Sequence, residues 1–191
     1  MLGKKEMTFD KAKFIELILY VAERSVIDPN FGVTKMAKAL WLSDFRAYSQ
    51  LGRPITGATY IKRDFGPDTS QFVTVFEELE ENGIAVKTPQ VVANYDSKRI
   101  TALRKADVTM FDPQERAIID NVIMYLATMS AVSVSNLSHE TRGYQLAEQN
   151  EEIPYGAALL PNEPESLSDS EIAYGRELGF QIFTDSVEVI Q

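Results

Sequence analysis

A carboxylate surrounded by basic residues is the first feature of this sequence that could do chemistry. Asp44 lies close to the apolar stripe of a predicted helix, so we expect its side chain to be at least partly buried. A buried carboxylate needs hydrogen-bonding or charged partners, because burial without them is costly. Four cations are candidate partners: Lys35, Lys38, Arg46 and Arg53. Such a group fits either a functional site or a polar contact that fixes the next loop onto the helix, and the second interpretation is favoured.

Acid–base catalysis has one candidate base, His139, which is the only histidine of the chain. A neutral imidazole is a good base near pH 7. Ser138 precedes it directly, but adjacent residues on a helix do not face each other, and the G-x-S-x-G nucleophile motif is absent. We therefore interpret His139 as structural, predict no catalytic residues and do not expect an enzyme.

Metal and cofactor sites are not predicted either. The chain has no cysteine, which excludes disulfides and thiolate zinc sites, and a single histidine excludes His-rich metal sites. Gly52, Gly57 and Gly66 fit neither a phosphate-binding loop nor a dinucleotide-binding motif. We interpret these glycines as turn formers.

The net charge of −9 is concentrated in the last quarter of the chain. Residues 1–139 contain 17 acidic and 17 basic residues, whereas residues 140–191 contain 11 acidic residues and two arginines. This distribution opposes a general nucleic-acid binder, whose binding surface is basic. It fits an acidic surface that meets a basic protein partner, and it fits equally a solubilising tail.

The composition is that of an ordinary soluble globular protein, with 45% hydrophobic and 25% charged residues. The charged N-terminal stretch predicts no signal peptide, and no apolar run approaches the ~20 residues of a membrane span. We expect a cytoplasmic protein without a membrane partner.

Hydrophobic periodicity predicts a mainly α fold, a helical domain with a small β-hairpin. The central helix begins near a Thr34 cap and ends before Gly52. A later helix opens with Asp112 and Pro113, with Glu115 completing a capping box, and its apolar circumference predicts that it is the most buried helix. The other predicted elements are a helix over 8–24, a β-like run over 58–61, a helix capped by Asp68 or Ser70 and ending at Asn82, hairpin strands over 84–92 and 99–104, and a short helix starting at Ser133 or Ser135.

Two further features concern the organisation of the chain. A helix, a stop at Gly83 and a hairpin follow one another in the order found in a winged helix. Residues 160–168 contain two prolines and two glutamates and are interpreted as a linker, followed by a predicted helix over 169–178 and a mixed apolar and acidic end over 180–191. We therefore expect one domain over 1–160, followed by an acidic linker and C-terminal helix or tail over 161–191.

The central motifs resemble those of the Panacea (SocA-like) antitoxin domain family, of the phage-associated-protein type. The pattern K-x-x-K-x-L-x-x-x-D-F-x-A-Y begins at Lys35, G-R-P-I-T-G-x-x-Y begins at Gly52, and F-G-P begins at Phe65. The resemblance extends over about residues 13–160. Two local departures are Asp68 after the Gly-Pro, where a second proline is expected, and the segment around Gly143.

This resemblance implies a bacterial antitoxin that binds a toxin encoded beside it and holds that toxin inactive. One branch of the family acts as an adaptor that presents its toxin to an AAA+ protease. The expected partner is therefore a cognate toxin protein, with an AAA+ protease as a further candidate. On this basis the residues expected at the partner-binding site are Lys35, Asp44, Arg53, Thr56, Tyr60 and Phe65.

Two alternatives remain open. The first is a winged-helix-like transcriptional regulator that binds DNA, such as its own operator, through the basic residues Lys62, Arg63, Lys98 and Arg99. An ordinary charged hairpin explains these residues as well. The second is an adaptor without a toxin, carried by a phage or mobile element, with residues 180–191 as a docking tail.

Overall fold

A computed structural model describes residues 7–92 and 95–160, together with the single residue 173. Within these residues the fold is mainly α, as the periodicity predicts, with one two-stranded antiparallel sheet. In chain order the elements are α1 (Lys11–Arg24), α2 (Val33–Leu51), α3 (Ser70–Glu81), β1 (Ala85–Val92), β2 (Tyr95–Ala102), α4 (Pro113–Ala127), α5 (Ala131–His139) and α6 (Arg142–Leu146), with short 3₁₀ turns at Ser25–Ile27, Val108–Met110 and Tyr155–Leu159. The predicted linker, helix and tail over 161–191 lie outside the described residues, apart from residue 173.

The core is built around α2, which packs against α1, α4, α5 and the turn at Tyr155–Leu159. Eleven of its 19 residues are buried, compared with six of 15 in α4. The prediction that α4 is the most buried helix is therefore wrong. Met124 on α4 is 59% exposed, because α4 packs mainly against α1 and α2 within the described part of the chain.

The helix ends follow local capping chemistry. The predicted capping box of α4 is confirmed: Asp112 Oδ1 accepts hydrogen bonds from the backbone N–H groups of Gln114 and Glu115, and Glu115 Oε2 accepts one from Asp112 N at 3.1 Å. Gly52 ends α2 in the left-handed region, with φ 69°, and donates its N–H to the Tyr48 carbonyl.

For three helices, the N-terminal cap is a different residue from the one predicted. The cap residue of α2 is Gly32, and Thr34 lies inside the helix. Thr69, not Asp68 or Ser70, caps α3, because its side chain accepts from Gln71 N. Ser130 caps α5 by accepting from Ser133 N, so that helix begins before Ser133.

The hairpin forms as predicted, but β2 begins at Tyr95 and not at Arg99, and it pairs with β1 from Ala85 opposite Ala102 to Val92 opposite Tyr95. The predicted β-like run over 58–61 is not a strand. Only Ile61 makes bridges there, one to Asp68, seven residues later, and one to Glu152 after α6. This arrangement ties the loop after α2 to the residues just before α3 and to the chain after α6.

No single helix among the described residues is long and apolar enough to cross a membrane. Helices α4 and α5 meet the length and composition test only when taken together, and they are bent by 117° at the break between them.

Candidate interaction site

Asp44 is the centre of a buried hydrogen-bond network between α2 and the loop that follows it. Its carboxylate is fully buried and accepts three hydrogen bonds: from Thr56 N at 2.7 Å, from Thr56 Oγ1 at 2.5 Å and from the Tyr60 hydroxyl at 2.9 Å. Burial raises the pKa of Asp44, and the hydrogen bonds that Thr56 and Tyr60 donate lower it in part. The network joins the middle of α2 to residues 55–60.

The four cations expected beside Asp44 are used elsewhere, so that expectation is wrong. Lys35 pairs with Asp28 at 2.6 Å, and Lys38 Nζ donates to the Pro67 carbonyl at 2.7 Å. Arg46 lies over the Tyr125 ring, and Arg53 pairs with Asp112 and Glu115. The turn at residues 53–57 brings a backbone N–H and a hydroxyl directly onto the carboxylate, which satisfies it without a cation.

Most of the residues expected at the partner-binding site are interior residues. Lys35, Asp44, Thr56 and Tyr60 are each 2% exposed or less, so a partner docking on this surface would not touch them. They hold the loops in place. The remaining two residues reach the surface: the side chain of Arg53 is 46% exposed, and Phe65 is 77% exposed.

Phe65 lies in a loop whose backbone is bonded to three helices. Ser135 Oγ of α5 donates to the Phe65 carbonyl at 3.1 Å, and the Tyr144 hydroxyl of α6 donates to the Arg63 carbonyl at 2.7 Å. Lys38 of α2 donates to the Pro67 carbonyl. These bonds fix the loop, so the exposed phenylalanine is presented on a rigid support.

Gly66 is needed for the close contact of this loop with the helices beneath it. Its φ is +96°, a conformation that L side chains rarely adopt. A Cβ at this position would lie 2.0 Å from Ser138 Oγ and 2.7 Å from Lys38 Cε. The Lys38 side chain is therefore confined between α2 and the loop, and burial lowers its pKa to about 8.

Phe65 stands beside a groove of about 300 Å³ between the loop, α2, α3 and β1. We call it the motif-loop groove. Val73 on its edge is 52% exposed, and Lys87 Nζ lies 4.2 Å from the centre of the Phe76 ring. Its main lining residues are Ala37, Phe65, Phe72, Val73, Phe76 and Lys87. Exposed apolar groups beside a shaped groove are typical of interaction sites.

The groove contains residues that the sequence did not single out, notably Val73 and Lys87. The F-G-P motif was the available signal, because a positive-φ glycine next to an aromatic residue requires a tight loop. The hydrogen-bond partners of that loop come from α2, α5 and α6, and no local pattern indicates them.

Three of the four residues of the alternative nucleic-acid patch make internal contacts. Arg99 donates to the carbonyls of Ser25 and Asp28, at 2.7 and 3.1 Å. Lys62 donates to the Ala147 carbonyl, and Arg63 donates to Asn150 Oδ1. Lys98 lies on β2 and lines a shallow groove with Lys87. The structure thus uses Arg99 to anchor the loop before α2, and Lys62 and Arg63 to anchor the chain after α6.

His139 has the structural environment that its sequence context suggests. Its ring stacks on Tyr144 with the centroids 4.6 Å apart, and burial, together with the nearby Lys38 charge, lowers its pKa. Ser138 Oγ donates to the Ser135 carbonyl at 2.6 Å and is fully buried. Among the described residues, no group of three or more His, Cys, Asp or Glu side chains could hold a metal ion.

Comparison with models of protein families gives a match. The model of the family described as "Antitoxin SocA-like, Panacea domain" matches residues 36–144, more than half of the chain. The matched region runs from the first turn of α2 into α6 and includes the Asp44 network, the F-G-P loop and the hairpin. No curated protein and no solved structure matches the chain.

Proposed function

The chain belongs to the SocA-like Panacea antitoxin domain family, and from this premise we propose that it neutralises a cognate toxin protein by binding it directly. Membership of the family supports an antitoxin role and a toxin partner in general terms. It also favours a non-enzymatic mechanism, in which one antitoxin molecule occupies the surface of one toxin molecule.

The proposed toxin-binding surface is the motif-loop groove with Phe65 beside it. The observation that supports this choice is the combination of a large exposed aromatic side chain with a backbone bonded to α2, α5 and α6. Aromatic anchors carry much of the binding energy in protein interfaces. A rigid support lowers the conformational entropy that is lost when the partner docks.

The chemistry of the groove defines what it can accept. Its floor of phenylalanine and alanine side chains would bury an apolar side chain of the toxin, while Lys87 and Arg63 at the rim can pair with carboxylates around that side chain. Phe65 itself would enter an apolar depression on the toxin. On binding, these contacts replace contacts with water, and the removal of apolar surface from water stabilises the complex.

A co-expression growth assay tests the proposal. The neighbouring gene product is expressed alone and with the full chain, and rescue of growth is the expected result. Phe65→Ala should impair rescue, whereas Val132→Ala on α5, where Val132 is 70% exposed, is the matched control and should rescue normally. Failure of the unmodified chain to rescue growth would overturn the proposed function.

The same assay separates sequestration from delivery to a protease. If the chain acts only by binding, the toxin accumulates in the rescued cells as a stable complex. If the chain is an adaptor for an AAA+ protease, the toxin level falls when the antitoxin is present and recovers when the protease is deleted. We propose direct binding as the common first step of both routes.

A further inference from the structure

A second groove adjoins the motif-loop groove and extends the same surface onto the β-hairpin. It encloses about 440 Å³ and is lined by six residues of α2, β1 and β2: Val33, Thr34, Lys87, Asp96, Ser97 and Lys98. We call it the hairpin groove. Val33, Thr34 and Lys87 line both grooves, so the two form one continuous surface. A polypeptide segment that is seated in one groove can therefore continue into the other.

Two lysines of the hairpin groove project from the same face of the sheet. Lys87 on β1 lies opposite Ile100, and Lys98 lies two residues before Ile100 on β2. Residues directly opposite each other share a face, and so do residues two apart on one strand, which makes the two lysines diagonal neighbours roughly 7–8 Å apart. Their charges repel each other, and a carboxylate between them would add two attractions.

Neither lysine is held by a close ion pair within the described part of the chain. Lys98 is exposed and forms no ion pair with a described carboxylate. Lys87 Nζ lies over the Phe76 ring, and its distance of 3.8 Å from Glu80 Oε2 is longer than a hydrogen bond. With one carboxylate in the described lining, that of Asp96, the groove carries two positive charges and one negative charge on a chain whose net charge is −9. Both lysines can therefore accept a carboxylate from a partner.

We propose that the hairpin groove binds an aspartate or glutamate of the toxin, whose carboxylate lies between the ammonium groups of Lys87 and Lys98. This inference rests on the proposed function and names the class of toxin segment that the surface recognises. That segment carries an apolar side chain for the motif-loop groove and an acidic residue close to it in the chain. Thr34 and Ser97 line the same groove, and their hydroxyls can donate further hydrogen bonds to the carboxylate. Lys98 is then a specificity-determining residue, because a toxin segment without the acidic residue leaves its charge unpaired.

A nucleic acid is the other polyanion that lysines contact, and the surroundings of the groove favour a protein carboxylate. Lys62 and Arg99 donate to backbone carbonyls within the protein, which leaves few cations for a phosphate backbone. Asp96 would repel the phosphates. The groove also continues into the apolar surface beside Phe65, which suits the side chains of a protein and not phosphate groups.

Charge reversal in the full chain tests the proposal, with the purified product of the neighbouring gene as the probe. Lys98→Glu is compared with Lys105→Glu, which makes the same change in net charge at an exposed lysine that lines neither groove. We expect Lys98→Glu to weaken binding about tenfold at low salt, and the loss should shrink at high salt because salt screens the interaction. Lys105→Glu should bind like the unmodified chain. Thermal unfolding checks that the fold is kept, and Lys98→Gln, with a smaller expected loss, replaces Lys98→Glu if the latter is destabilised.

Failure of this inference and failure of the proposed function give different results. Equal affinities of Lys98→Glu and Lys105→Glu, with Phe65→Ala still weakened, would overturn the inference and leave the proposed function intact. Absence of any complex with the unmodified chain would overturn both. Duplex DNA from upstream of the gene is the second probe, and no binding is expected. Salt-sensitive DNA binding that Lys98→Glu abolishes would overturn the inference and assign the lysines to phosphate groups.

Discussion

The Tyr60 hydroxyl donates to Asp44 Oδ2 at 2.9 Å, and this bond links α2, the helix at the centre of the described core, to the loop that leads to Phe65. Tyr155 adds a second tie to the same loop, since its hydroxyl donates to the Ala58 carbonyl at 2.6 Å and its ring lies 5.0 Å from that of Phe45. The interior polar groups thus fix the position of the surface loop. Several consequences of this arrangement can be measured.

Replacing Asp44 should strongly destabilise the protein. Asp44→Ala leaves the donors of Thr56 and Tyr60 buried without an acceptor, so we expect a loss of about 3–5 kcal/mol in the free energy of unfolding. Urea denaturation measures this loss. Glu77→Gln on the solvent face of α3 is the control and should change stability by less than about 0.5 kcal/mol. A loss at Asp44 no larger than that of the control would contradict the role assigned to the network.

Lys38 should make the protein more stable at alkaline pH. Its folded-state pKa is lowered from 10.5 to about 8 by burial, so the folded state releases this proton before the unfolded state does. Between about pH 8 and 10.5 the unfolded state binds more protons, and the contribution of Lys38 to the free energy of unfolding therefore rises with pH. Below pH 8 the buried charge is a constant cost.

The measurement for Lys38 is chemical denaturation at a series of pH values from 7 to 10.5, with Lys38→Met as the comparison. The free energy of unfolding of the unmodified chain should increase relative to that of Lys38→Met as the pH rises through this window. A difference that is independent of pH would show that Lys38 has an ordinary pKa in the folded protein.

Gly66→Ala should destabilise the protein much more than Gly83→Ala, although both glycines have a positive φ. The new Cβ would lie 2.0 Å from Ser138 Oγ, whereas at Gly83, with φ 65°, nothing lies within 4 Å. We expect a loss of about 1 kcal/mol for Gly83→Ala from backbone strain alone. Gly66→Ala adds overpacking and should cost about 2–4 kcal/mol in total.

Both glycine variants can be compared by thermal unfolding and in the growth assay. Gly83→Ala should retain rescue, since Gly83 ends α3 away from the F-G-P loop. Gly66→Ala should lose it, because the loop that carries Phe65 can no longer pack on α2 and α5. Equal unfolding temperatures for the two variants would argue against the tight contact at Gly66.

The sequence predicted the features that depend on neighbouring residues. It missed those that depend on contacts between residues far apart in the sequence. The Asp112 capping box and the Gly52 helix end are local, and both are confirmed. The partners of Asp44 are Thr56 and Tyr60 and not cations, because the turn after α2 brings these two residues within hydrogen-bonding distance of its carboxylate. Neither the hydrophobic periodicity nor the charge pattern indicates that Thr56 and Tyr60 contact Asp44.

The same distinction applies to the candidate site. Sequence motifs indicated Phe65, but they also selected Lys35, Thr56 and Tyr60, which are buried. A family motif combines residues that contact a partner with residues that support the loop, and only the packing of α2, α5 and α6 separates the two groups. Val73 on α3 is part of the groove through its position in space, since it lies outside every motif that the sequence displays.

The most direct test of the central claim is isothermal titration calorimetry of the purified toxin with the full chain and with Phe65→Ala. We predict a 1:1 complex for the unmodified chain and a loss of about 2 kcal/mol in binding free energy for Phe65→Ala, a weakening of about 30-fold, with unchanged thermal unfolding. Val132→Ala should bind like the unmodified chain. Binding of Phe65→Ala with unchanged affinity would contradict the assigned surface, and the absence of any complex with the unmodified chain would contradict neutralisation by direct binding.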